Sequence, residues 1–222
     1  MTLLSRLTVG PTRDPLAWAG PAATGAFIAG TAAMMARSEH PYPRPGSPPE
    51  QIGAFFMQPS RSPRFGLAGQ AASAAALAGW TAAVARLARP RRGEQTLAIA
   101  GGVLAAGALA TSATRFARLL DPPADPTDVA QLHRQAFIVG GPVHGVGFGA
   151  LLAALGLAGR RTRRLSRPLA WGALIAAVPN LASPIVLVWA PGAWLLPVGR
   201  FPGLVVTAAQ ASDSPPDRDD ET

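Results

Sequence analysis

Apolar and small residues run along this chain in long blocks, and the ionisable residues are confined to the joints between them. Residues 16–36, 66–85, 96–114, 135–159 and 168–199 contain no Asp, Glu, Lys or Arg. Roughly 20 apolar residues of helix cross about 30 Å of hydrocarbon, and a helix satisfies its own backbone there. The pattern predicts an all-α, multi-pass transmembrane bundle over residues 16–211, with spans at about 16–36, 66–85, 96–114, 135–159, 168–189 and 192–211. The last block carries Arg200 near its middle, between Pro197 and Pro202. Five spans plus a re-entrant or interfacial segment is therefore the alternative. Residues 1–15 are expected to be a cytoplasmic tail. Residues 212–222, rich in acids and proline, are expected to be disordered.

The first block is about 21 residues long, where a secretory leader has an apolar core of about 7–15. It ends in Met34-Met35 without a small-residue cleavage pattern, so a retained span is expected. Two joints carry helix-start signals of their own. Ser47-Pro48-Pro49-Glu50 fits a capping box, and Ile52, Phe55 and Phe56 follow at helical spacing. That short helix would lie in the membrane interface on its apolar face or sit as a plug over the bundle. Asp125-Pro126-Thr127-Asp128 repeats the design and leads through His133 towards span four.

Charge then orients the bundle. The formal net charge is +8, and all twenty basic residues are arginine. With the N-terminus in the cytoplasm, inner segments collect eleven arginines in short, dense clusters, and the longer outer links collect seven, diluted by acids. The positive-inside rule favours that orientation, in the inner (plasma) membrane of a bacterium. The arginines lie between apolar blocks with no RNA-binding aromatic motif or zinc spacing near them, so nucleic acid is not expected as a partner. Anionic lipid headgroups could meet the inner clusters, although these also serve simply as topology determinants. The absence of cysteine excludes disulfides, iron–sulfur clusters and thiol chemistry.

Polar side chains inside a span are costly and tend to face the bundle interior. Gln70, His144, Asn180 and Arg200 stand out, on four different spans and in the outer half of the membrane. They are the candidate ligand-binding residues. Gly141, Gly145 and Gly149 form a tandem GxxxG around His144, expected to be a packing seam. His144 either hydrogen-bonds across that seam or handles a ligand or proton. Arg200 finds no acidic partner in any span; carbonyls, Asn180, water or a ligand must serve, unless the prolines break the segment and the side chain snorkels to water. His133 reads as an interfacial residue beside Arg134. A bis-His haem would need a second histidine on a facing helix, and His40 lies in a link, so no cofactor is implied. No metal set, Walker loop, HExxH or GxSxG appears, and no catalytic residue is assigned.

The stretches PEQIGAFF (49–56), GGPVHGVGFG (140–149) and PVGRFPGLVV (197–206) resemble a group of actinobacterial multi-pass membrane proteins of unknown function. The resemblance implies a five- or six-span bundle and no particular chemistry. The expected activity is non-enzymatic: binding or moving a small anionic or amphiphilic molecule in an outward-facing polar pocket. The alternatives are an assembly partner of another membrane protein, or a homo-oligomer, docking through the glycine seam and outer helices, and an intramembrane enzyme using His144.

Overall fold

The computed structural model describes residues 15–121, 125–189 and 195–210. Both tail expectations fall mainly or wholly outside them. Among the described residues the chain is entirely helical: α1 (Ala19–Arg37), α2 (Pro49–Phe56), α3 (Pro63–Ala88), α4 (Arg92–Ala117), α5 (Pro126–Ile138), α6 (His144–Thr162), α7 (Arg167–Leu181) and α8 (Leu195–Ala209). Four continuous helices are long and apolar enough to cross a membrane: Pro63–Ala88, Arg92–Leu120, Pro126–Thr162 and Arg167–Leu187. The helices α1 and α8 are not among them; α8 has only 15 residues.

Helix starts follow local chemistry. Asp125 caps α5 by accepting a 2.8 Å bond from the Thr127 N–H, with Pro126 in the first turn. The expected Ser47 cap is displaced: Pro48 holds the N-cap position of α2, and the Ser47 hydroxyl instead accepts from the Arg44 N–H at 2.9 Å. The helix α7 continues through Pro179, ends at Leu181 and gives way to a 3₁₀ turn at Ser183–Leu187 that carries Pro184, while α8 runs through Pro202 without a break. The helix α6 stops at Arg163, whose φ of 55° is left-handed.

The long helices form a ring in which each packs on the next, α1–α3–α4–α6–α7–α8, and α8 closes back on α1. Small residues set the spacing. A Cβ added to Gly30 of α1 would come 2.6 Å from the Gly69 Cα of α3, and one on Gly147 of α6 would come 2.5 Å from the Ala105 nitrogen of α4. Backbones in contact leave no room for side chains between them. The larger core cluster gathers around Trp80, Leu151, Leu152 and Leu155 in this tight zone. Outside the ring, Val103, Ile175 and Val205 are each about two-thirds exposed (66%, 68% and 67%), an apolar exterior that a water-facing surface does not favour.

One end of the ring carries the Arg86–Arg92 and Arg160–Arg167 joints, where Arg161 and Glu94 pair at 2.9 Å. The opposite end is covered by α2 and α5. There Ile52, Phe55 and Phe56 bury their side chains against Phe116, Leu119, Val129 and Leu132. The helix α2 is thus a plug on the bundle, and its apolar face is unavailable to an interface. His133 is 1% exposed beside Phe56 and Phe116; it is a core residue, contrary to the interfacial placement expected beside Arg134.

Candidate functional site

Between α5 and α6 the helix widens into a π turn, Val139–Val143, containing Pro142. Proline removes an N–H and would clash in a regular helix; the wider turn accommodates it, with the His144 N–H reaching five residues back to the Val139 carbonyl. Two carbonyls of this turn are then met by side chains from elsewhere. The Ser183 hydroxyl donates to Pro142 O at 3.0 Å, and the Arg200 guanidinium donates to Gly140 O at 2.6 Å.

Arg200 lies in the wall of a cavity of about 450 Å³ under the α2 plug, at the end away from the arginine-rich joints. Five of the eight phenylalanines, Phe27, Phe55, Phe56, Phe116 and Phe137, line it, together with Met34 and Met35. Polar groups are few: Gln70, Thr31, Ser112, Tyr42 and Arg200. Gln70 donates to Leu109 O at 3.3 Å, and the Ser112 hydroxyl to Ala136 O at 2.9 Å. Arg200 has the Gly140 carbonyl and the face of Phe27, 5.3 Å from its ring centre. Among the described residues no carboxylate lines the cavity. A guanidinium offers five N–H donors, so this charge has capacity for an anion.

Tyr42 enters from the link before α2 and packs edge-on against Phe55 at 5.3 Å. Part of its exposed surface is cavity wall. Desolvation there pushes its phenol up to about 12, with the Arg200 charge pulling the other way. It is a neutral hydrogen-bond donor at neutral pH.

The four candidate residues divide. Gln70 and Arg200 share the cavity. His144 does not reach it: its Nδ1 sits 3.0 Å from the Ala105 carbonyl across the α4–α6 contact, the bond expected of a seam residue, and its ring also lines a smaller chamber with Arg200. Asn180 lines neither. It donates to Ala176 O and Gly199 O, both at 2.8 Å, and so fastens α8 to α7 one residue before Arg200. Of the GxxxG glycines, Gly145 and Gly149 meet Ser183, Asn180 and Ala177 of the segment that packs on α6 in the same chain, and Gly141 lines the cavity. Tyr42 and the phenylalanines were not among the candidate site residues. Tyr42, Phe55, Phe56, Phe116 and Phe137 cluster in links and span ends, which was their signal, whereas Phe27 lies mid-span and carried none.

No family model, curated protein or solved structure matches the chain.

Proposed function

We propose that this chain is a six-span protein of a bacterial inner membrane, N-terminus in the cytoplasm, that binds a small anionic amphiphile in an outward-facing cavity and moves it. One observation carries the reading: Arg200 stands in a mainly apolar, phenylalanine-rich cavity wall, with a carbonyl and a ring as partners and no acid among the described residues beside it. A charge at that depth costs at least about 2.5–3.5 kcal/mol, which a ligand's carboxylate, sulfonate or phosphate would offset. The phenylalanines and methionines suit an alkyl tail, and the volume is within the range of small-molecule sites, about 300–1,000 Å³.

The exposed apolar belt supports a bilayer as the surroundings, and the arginine joints at the far end support that end as cytoplasmic. The three segments that resemble the actinobacterial group form α2, the π turn and α8, all of which wall the cavity. The assembly reading has less to stand on, because Gly145 and Gly149 and the apolar face of α2 are already engaged within this chain.

Calorimetric titration of the purified protein in phosphatidylcholine nanodiscs tests the site. Decylsulfonate should bind and decyltrimethylammonium should not. Arg200→Gln should weaken sulfonate binding about ten- to a hundredfold, the loss of one charge-assisted hydrogen-bonded contact of about 1.5–3 kcal/mol. Equal binding of both amphiphiles, or no effect of the substitution, would overturn the reading.

A further inference from the structure

On the side of Arg200 facing the arginine-rich end lies a second, smaller chamber of about 20 Å³, room for about one water molecule. Its polar lining comes from Thr24 of α1, Ser73 of α3, His144 of α6, and Arg200 and Thr207 of α8. The Thr207 hydroxyl donates to Gly203 O at 2.7 Å and that of Thr24 to Leu204 O at 3.4 Å. Both threonine oxygens keep acceptor capacity. His144 Nδ1 faces the Ala105 carbonyl, so this nitrogen carries the proton, and Nε2 is the basic atom of the ring. The chamber thus combines acceptors, a base and one cation.

The charge balance around His144 is simple. Ala105 and Leu109 of α4 offer it no ionisable group, and neither do the chamber residues of α1 and α3 or Asn180 and Ser183 behind Gly145; among the described residues Arg200 is the one charged group lining the chamber, and it lies within electrostatic reach of the ring. A proton on Nε2 would first have to be accommodated in a buried site, and would then put a second positive charge beside an unneutralised guanidinium in a medium that screens poorly. An anion seated on Arg200 from the cavity side cancels that repulsion.

Building on the binding site proposed above, we infer that anion binding at Arg200 is coupled to uptake of a proton by His144, so that anion and proton are bound together with no net change of charge. The proton passes from water to the Nε2 lone pair; no bond of the ligand changes. By linkage the anion must then bind more tightly as pH falls, up to about tenfold per pH unit for one linked proton.

Decylsulfonate stays ionised over the whole accessible range, so any proton taken up belongs to the protein. Its binding to the purified protein in phosphatidylcholine nanodiscs is titrated between about pH 4.5 and 7.5, in pairs of buffers with different protonation enthalpies. The expected result is uptake approaching one proton per anion and affinity rising towards low pH, with His144→Gln binding the anion but showing neither effect. Wild-type binding with no proton uptake anywhere in that range overturns the coupling and leaves the Arg200 site standing. Persistence of the uptake in His144→Gln also overturns it. Failure of decylsulfonate to bind at any pH removes the site and the coupling together.

Discussion

The two ends of the bundle are built on opposite packing rules. Towards the arginine-rich end, α3, α4, α6 and α7 meet through glycine and alanine, and Trp80 is fully buried beside Phe148 and bonded to Gln210 at 2.7 Å. Small residues let the backbones touch, and only a chamber of about 20 Å³ is left beside Phe148. Towards the other end Phe27, Met34 and Met35 of α1, Phe116 of α4 and Phe137 of α5 meet Phe55 and Phe56 of α2, while α1 and α3 still touch at Gly30 and Gly69. Among these rings a cavity of about 450 Å³ with a cation in its wall remains. Close packing stabilises; a void beside an unneutralised charge does not. Such a feature persists where it is used.

The comparison is broken most severely at Gly147. A side chain there meets the backbone of α4 at 2.5 Å, and backbone cannot move aside as a flexible side chain can. Gly147→Leu is expected to cost more than the about 1–3 kcal/mol of ordinary core overpacking and to yield no monodisperse protein on size exclusion. At the other end the expectation reverses. Arg200→Gln, which abolishes the charge, should unfold no earlier than the parent in a detergent melt while losing its ligand. A smaller effect separates the cavity's neutral donor from its cation. Tyr42→Phe removes one hydroxyl, worth about 0.5–1.5 kcal/mol as a neutral hydrogen bond, and should weaken decylsulfonate binding severalfold without a change in melting temperature. The smallest effect on binding belongs to the arginine-rich end. Arg161 and Glu94 retain only 24% and 14% side-chain exposure and share two hydrogen bonds, so Glu94→Gln should cost about 1.5–3 kcal/mol of stability and leave binding unchanged.

Much of the architecture follows from composition alone. Charge-free blocks located α1 and the four helices long and apolar enough to span, because a charged side chain is costly in hydrocarbon; α8, which carries Arg200, was not located that way. Asp125 was legible as a cap because its partner is two residues away. Ser47 was not, because Pro48 and Pro49 are both plausible helix starts and the choice depends on how α2 sits on the bundle. His133 was misplaced for a related reason: its neighbours in sequence are polar, and its burial comes from Phe56 and Phe116 on other elements. The candidate site was half legible. Arg200 and His144 declared themselves by cost, but Asn180 is a fastening for α8. The cavity wall could not be found from sequence, since it is made of ordinary apolar residues whose meeting depends on the π turn and the plug.

The central claim is that the cavity opens outward and selects anions through Arg200. The chain contains no cysteine, so one cysteine can be placed in the cavity wall by Thr31→Cys and its reaction followed in intact cells. Two membrane-impermeant methanethiosulfonates of similar size, one carrying a sulfonate and one a trimethylammonium, compete for it. The account predicts faster modification by the sulfonate, with the preference lost when Arg200→Gln is added. No modification until the cells are opened, or equal rates for the two reagents, would contradict it.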